Sequence, residues 1–295
     1  MMSGPPTISA RLLATAHPRG EGVVTATEPG VLAGGREAIA ALPEDLAPLV
    51  ELRRGDGEML AAGDAIAACT GTAIELQRIE DHLLGVLGVA SGIATRAHTI
   101  VSSAPTGLRI VCGGWKKLPP ALKPVLRAAL DAAGIGHRLL PHEFVYVDKN
   151  AVTMLGGIAP AVGAGLAVEN GPVAVQVKDP ADIATAIEAG AGAVMVDTGS
   201  ITDLRAAQAV LDRLGRADVV LAFGGGARID DLGRLRAAGA DVVDLGRAIL
   251  DAPLLDLRFD VRPLVDRTSG EPALREPLGQ ELLGDEAVDV GRAFS

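Results

Sequence analysis

Aromatic residues are scarce in this chain: one Trp, one Tyr and four Phe among 295 residues. Hydrophobic residues still make up 48%. A core of this size must therefore be built from Ala, Val, Leu and Ile. Cysteine is equally sparse. Cys69 and Cys112 are the only two, and their spacing matches neither a disulfide framework nor a zinc site. They read as reduced thiols of a cytoplasmic protein. Positive charge is short as well, with 27 Lys and Arg against 37 Asp and Glu and a net charge of -10. That excludes the basic footprint of a general nucleic-acid binder. A local basic patch for a phosphorylated small molecule remains open. No basic segment followed by an apolar one marks a signal peptide near the start. No run of about 18 strongly apolar residues marks a membrane span, so no membrane partner is expected.

Glycine, by contrast, is abundant, with 37 residues in no long run. This fits many tight turns between strands and helices. Residues 1–105 read as one unit. Residues 22–27 are strand-like, 36–41 helical, and 56–71 a series of short strands punctuated by glycines, which suggests a small β sandwich. A long helix over 75–89 carries Ile79, Leu83, Val86 and Leu87 at helical spacing, and a second helical stretch runs to Val101.

From Leu108 the pattern changes to alternating strands and helices. Strands are expected at 108–112, 144–147, 173–177, 193–196, 219–223 and 242–245. Amphipathic helices are expected at 120–133, 180–189, 202–214 and 229–238. Alternation at this spacing predicts a parallel sheet with crossover helices. Six strands are too few for a closed eight-stranded barrel, so residues 106–262 are expected to form an incomplete α/β barrel of six or seven strands. Asp179, Asp203 and one of Asp230 or Asp231 are placed to cap helices. Residues 263–295, broken by prolines, read as a loosely held tail with a short helix over 278–283.

Strand C-termini in such barrels carry the chemistry, and charged residues cluster there. Lys116 and Lys117 follow Gly113-Gly114, an arrangement suited to a phosphate or pyrophosphate; a solvated surface pair is the plainer alternative. His137-Arg138 offers a donor and a planar fork for an anion, or merely a pair at a turn. Asp148-Lys149-Asn150 ends the second strand and could bind a hydroxyl, a metal or a charged ring, or form an internal ion pair. Asp197 is another strand-end acid, able to hold Mg²⁺ with a sugar phosphate. Gln176 is polar within an apolar strand and needs partners. Gly224-Gly225-Gly226, and then Gly246, follow the last two strands, where backbone amides cradle phosphates.

These segments resemble the type II phosphoribosyltransferases, in particular the quinolinate phosphoribosyltransferase family. The resemblance runs from Glu28 to Val261. Glu28-Pro-Gly-Val-Leu-Ala-Gly34 is similar to the family's N-terminal turn, and Ser91-Gly92-Ile93-Ala94-Thr95 to a hallmark segment. His137-Arg138, Lys116, Asp197, Gly225-Gly226 and residues 252–260 fall on further motifs. The resemblance implies an N-terminal α/β sandwich joined to the incomplete barrel. It also implies a homodimer whose sites combine the sandwich of one subunit with the barrel of the other. Family members join a pyridine dicarboxylate to phosphoribosyl pyrophosphate with Mg²⁺, release pyrophosphate and decarboxylate the ring. On this basis Lys116, Arg138 and Asp197 are the expected catalytic residues, with Asp197 also the weak Mg²⁺ ligand. Asp81, Trp115, Lys117, His137, Asp148, Lys149, Gln176, Gly224, Gly225, Gly226 and Gly246 are the expected substrate contacts.

The departures point elsewhere for the acceptor. Asp81 and Trp115 stand where the family has Arg, and Thr27 where a third Arg reaches the neighbouring site. Asp148-Lys149 inverts the family's Lys-Asp order, Gln176 replaces a Glu, and Gly224 a Ser. Each charge-assisted hydrogen bond lost costs about 1.5–3 kcal/mol. The expectation is therefore transfer of a phosphoribosyl or related sugar-phosphate group to an acceptor that is not quinolinate, neutral or cationic, on which Trp115 could stack. Two alternatives share the fold: a ligand-binding pseudoenzyme, and a phosphate-binding lyase or isomerase with Lys149 as a Schiff-base amine.

Overall fold

The computed structural model describes residues 19–168 and 171–264. The short helix expected over 278–283, and all but two residues of the tail, lie outside this range. The first unit contains β1 (Arg19–Ala26), β2 (Gly30–Val31), α1 (Gly35–Ala41), β3 (Val50–Leu52), β4 (Met59–Leu60), β5 (Ala65–Thr72) and α2 (Ala73–Ser103). Strands β1, β5 and β3 pair antiparallel in a sheet, while β2 and β4 form a two-stranded ribbon. The α/β sandwich implied by the family resemblance is present, whereas the all-β sandwich suggested by the short glycine-punctuated strands is not. The layer facing the sheet is helical, because Ala38, Leu76, Ile79, Leu83 and Leu87 pack with Val24, Ala26, Ile66 and Cys69 in one core. Asp56 fixes the start of α1 by accepting from the amides of Gly34 and Gly35 at 3.1 and 3.0 Å.

Helix α2 is continuous, where two stretches were expected. It starts on a capping box: Thr72 Oγ1 accepts from the Glu75 amide, and Glu75 Oε2 accepts from the Thr72 amide at 2.7 Å. It is long and apolar enough in length and composition to cross a membrane, yet half of its most apolar window is buried inside the protein. The physical reason is that it serves two cores. Leu76 to Leu87 face the first sheet, and Ala90, Ile93, Ala94, Ala97 and Ile100 pack into the barrel core. The segment Ser91–Thr95 is the junction. Buried Ser91 Oγ accepts from the Ala33 amide at 3.0 Å, and Thr95 Oγ1 accepts from the Val31 amide at 2.8 Å. The Gly88 carbonyl accepts from the Leu255 amide at 3.0 Å. Gly85 on the same helix has nothing within 4 Å of where a Cβ would sit. Gly85→Ala is expected to stabilise the protein by about 0.5–1 kcal/mol, read from chemical denaturation, since it adds helix propensity without a clash.

The barrel follows with β6 (Arg109–Val111), α3 (Lys123–Ala132), β7 (Val145–Val147), α4 (Lys149–Met154), α5 (Ile158–Val168), β8 (Val173–Val177), α6 (Asp182–Glu188), β9 (Ala193–Val196), α7 (Ile201–Leu214), β10 (Val220–Phe223), α8 (Leu232–Ala237), β11 (Val242–Asp244) and α9 (Gly246–Leu250). All six expected strands are present. They form one parallel sheet in the order β6-β11-β10-β9-β8-β7. A single parallel bridge from Val111 to Gly136 marks a rudimentary seventh strand, so the barrel is incomplete. The helices cover its outer face. Inside, Val111, Leu139, Leu140, Ala174, Ala193, Met195, Ala222 and Val242 fill the lower part. Ser200, not Asp203, caps α7, accepting from the Asp203 amide at 3.3 Å. Asp231 stands at the cap position of α8, but its carboxylate caps none of the helix's backbone amides. Its carboxylate pairs with Arg234 at 2.9 Å.

The chain then returns to the first sheet. Strand β12 (Leu257–Pro263) pairs antiparallel with β1, from Ala26↔Leu257 to Gly20↔Pro263. Residues 257–262, assigned to the barrel unit by the strand-helix alternation, thus belong physically to the sandwich.

Candidate active site at the barrel mouth

Side chains alternate along each strand, so residues two beyond the filled interior emerge at the C-terminal mouth. By this parity Tyr146 and Asp148 lie on the inner face of β7 and beyond. Gln176, Asp197, Gly224 and Asp244 follow Ala174, Met195, Ala222 and Val242. The result is an acidic mouth.

Asp148 does more than end a strand. It caps α4, its Oδ1 accepting from the amides of Asn150 and Ala151, both at 3.0 Å. Its Oδ2 receives the Lys116 ammonium at 3.0 Å. The Ala151 amide and Lys116 hold the Asp148 carboxyl below its usual range. Lys116 comes from the 3-10 turn Gly114–Lys117 that follows β6. Its Nζ also lies 5.9 Å from the Trp115 ring centre and 5.8 Å from that of Tyr146. Trp115 is exposed, with the Lys123 ammonium 4.9 Å from its ring centre. Gln176 bridges the floor: its Oε1 accepts from the Lys149 amide at 3.0 Å, and its Nε2 donates to Asp197. Lys149 is exposed, outside the apolar pocket that a Schiff-base amine requires.

Two residues of this mouth escaped the sequence reading, Tyr146 and Asp244. Asp244 Oδ1 accepts from the Gly113 and Gly246 amides at 2.8 and 3.0 Å. It clasps the glycine turn bearing Trp115 and Lys116 to the start of α9. The Gly246 amide, expected on a phosphate, is therefore spent on Asp244. Burial pushes the Tyr146 phenol up, and Asp197, Asp244 and Asp148 add to it. Burial likewise raises the Asp244 carboxyl from its ordinary 3.8, with Asp197 contributing and the two glycine amides opposing.

A carboxyl raised in the folded state favours folding below its unfolded value. That contribution is lost as pH rises through the raised value. Asp244→Asn keeps an oxygen for both amides and removes the charge. It is expected to raise the thermal midpoint at neutral pH. The gain should vanish below pH 3.8 in melts followed across pH.

The glycine turn after β10 is tightly specified. A Cβ on Gly225 would stand 2.7 Å from the Gly199 amide nitrogen and 2.9 Å from the Asp197 carbonyl carbon, and φ is +84° there and +102° at Gly226. The Gly224 amide donates to Val196, whereas those of Gly225 and Gly226 donate to no group among the described residues.

Three expected contacts stand apart from this cluster. Arg138 pairs with Glu143 at 2.9 Å, and its guanidinium carbon lies 5.4 Å from the Phe144 ring centre. That is the start of β7, at the opposite end from Asp148. His137 makes no hydrogen bond among the described residues. Asp81 lies on the exposed face of α2 and joins none of the mouth residues within one chain. Among the described residues, no group of three His, Cys, Asp or Glu is arranged to hold a metal.

Comparison with known proteins agrees with this architecture. The family model described as quinolinate phosphoribosyl transferase, N-terminal domain, matches residues 8–91, and that of the C-terminal domain matches residues 93–260. Nicotinate-nucleotide pyrophosphorylase (carboxylating) of Rattus norvegicus is 30% identical over 255 residues, 85% of each chain. A probable nicotinate-nucleotide pyrophosphorylase (carboxylating) of Methanothermobacter thermautotrophicus is 26% identical over 248 residues, 82% of this chain and 88% of the relative. Among solved structures, NadC from Streptococcus pyogenes superposes with a TM-score of 0.71 at 20% identity, over 88% of this chain and 92% of that one.

Proposed function

Because the chain belongs to the quinolinate phosphoribosyltransferase family, we propose that it transfers a phosphoribosyl group from phosphoribosyl pyrophosphate to a nitrogen acceptor other than quinolinate. The observation that carries this reading is the charge of the mouth. Quinolinate brings two carboxylates. The mouth meets them with Asp148, Asp197 and Asp244, and Lys116 is already paired with Asp148. In a partly desolvated cleft, like charges cost far more than in water; the donor's phosphates are offset by the magnesium they carry and by Lys116 and Lys117, and a dicarboxylate acceptor has no such offset.

The acceptor nitrogen forms the bond to C1′ with its lone pair. The C1′–oxygen bond breaks, and its electrons leave with pyrophosphate. Lys116 and Lys117 stabilise the charge on the departing pyrophosphate. Asp197, oriented by Gln176, accepts from ribose hydroxyls, and the amides of Gly225 and Gly226 receive the 5′-phosphate. Magnesium would arrive on the donor's phosphates, with Asp197 as its one protein carboxylate. This matches the way Mg²⁺ is commonly held, by one or two carboxylates plus substrate phosphates. In this reading the chain works as a homodimer, with Asp81 and Thr27 of one copy facing the mouth of the other.

The test is pyrophosphate release from phosphoribosyl pyrophosphate and magnesium, followed across neutral, cationic and anionic nitrogen heterocycles. Release with neutral or cationic acceptors and none with quinolinate is expected. Release with quinolinate alone would overturn the reading.

A further inference from the structure

We propose that the mouth contains a cation-binding subsite made by the Trp115 and Tyr146 rings and the Asp148 carboxylate, and that Lys116 fills it until the acceptor arrives. The inference rests on the transfer reading above and names its acceptor class: a nitrogen heterocycle bearing a protonated amine.

A cation already sits there. The Lys116 ammonium is 3.0 Å from Asp148 Oδ2 and lies 5.9 and 5.8 Å from the Trp115 and Tyr146 ring centres. These are the chain's one Trp and one Tyr. Their faces attract cations through the ring quadrupole, and both residues keep over a third of their surface exposed. Asp148 is preoriented for the task. Two backbone amides occupy Oδ1, which leaves Oδ2 aimed at the cation. Behind the phenol, Asp197 and Asp244 deepen the negative field. Among the described residues, no other side chain holds Lys116, and its flexible stem lets it swing out. Displaced by the acceptor's ammonium, it becomes free for the donor's pyrophosphate. Acceptor and donor should then bind with positive coupling, each favouring the state the other needs.

The probe is 3-(aminomethyl)pyridine, whose exocyclic amine is protonated at neutral pH while the ring nitrogen keeps its lone pair. Nicotinate is the anionic control on the same ring. The signal is the fluorescence of Trp115. A saturable change is expected, with affinity for the amine at least about tenfold above that for nicotinate. Tyr146→Leu and Asp148→Asn should weaken amine binding by a similar factor. Lys116→Met, which vacates the subsite, should tighten it severalfold. Calorimetric titration with phosphoribosyl pyrophosphate and magnesium, run on the same samples, reports the donor site separately. Equal affinity for amine and nicotinate, or no gain in Lys116→Met, would overturn the subsite even where the donor binds. Donor binding absent with amine binding intact would overturn the transfer reading and leave the subsite standing.

Discussion

Lys116→Ala is expected to lower phosphoribosyl transfer by at least about a hundredfold, the effect of removing one preorganised donor from a developing anion. Stability should stay within about 0.5 kcal/mol of the parent, as for surface substitutions generally. The ammonium is exposed, and its pair with Asp148 is of the kind that contributes little in water. Asp148 keeps its two backbone partners without it, so α4 retains its cap. Activity and melting thus separate cleanly. Pyrophosphate release under saturating donor reads the first, and a thermal melt reads the second. Transfer within about threefold of the parent, an effect below 1 kcal/mol, would remove Lys116 from the chemistry.

Gly92→Ala is expected to destabilise the protein by about 3 kcal/mol, the upper end for inserting a methyl group into a packed site. A Cβ there would stand 2.9 Å from the Leu255 amide nitrogen and 3.1 Å from the Leu254 carbonyl carbon, and closer still to the Pro253 carbonyl oxygen. All three are backbone atoms, so no side chain can rotate away. One turn earlier, a Cβ on Gly88 would press on the Leu255 carbonyl at 3.3 Å. Together the two glycines form a slot in α2 for the segment leading into β12. The substitution would push that segment outward and loosen β12 from β1. Denaturant unfolding is the measurement, and a loss below about 1 kcal/mol would show that the slot can widen at little cost.

The six barrel strands were legible because each is a short apolar run between turn signals, and burial on both faces demands such runs. Helix α5 was not. Its sequence Ile158–Val168 is apolar throughout, with Pro160, Gly163 and Gly165, so no helical period stands out. Asp148 was found, but its role as a cap was hidden because α4 itself was not anticipated. Tyr146 was within reach: in Val145-Tyr146-Val147 the alternation puts it on the same face as Asp148. Asp244 carried the same signal as Asp197, an acid closing an apolar run. The return of β12 to β1 depends on how distant segments meet. No local pattern encodes that. The hallmark Ser91–Thr95 could be quoted without its reason. The structure supplies one in the hydroxyls that bind residues 31–33 and the glycine that admits residues 253–255.

The most direct measurement is a thermal-shift titration with phosphoribosyl pyrophosphate and magnesium, with and without quinolinate. A ligand at a hundred times its dissociation constant stabilises by about 2.7 kcal/mol, which a melt detects readily. Transfer to a different acceptor at this mouth predicts a shift with the donor and no further shift with quinolinate. A shift with quinolinate comparable to that of the donor, or none with the donor, would contradict it.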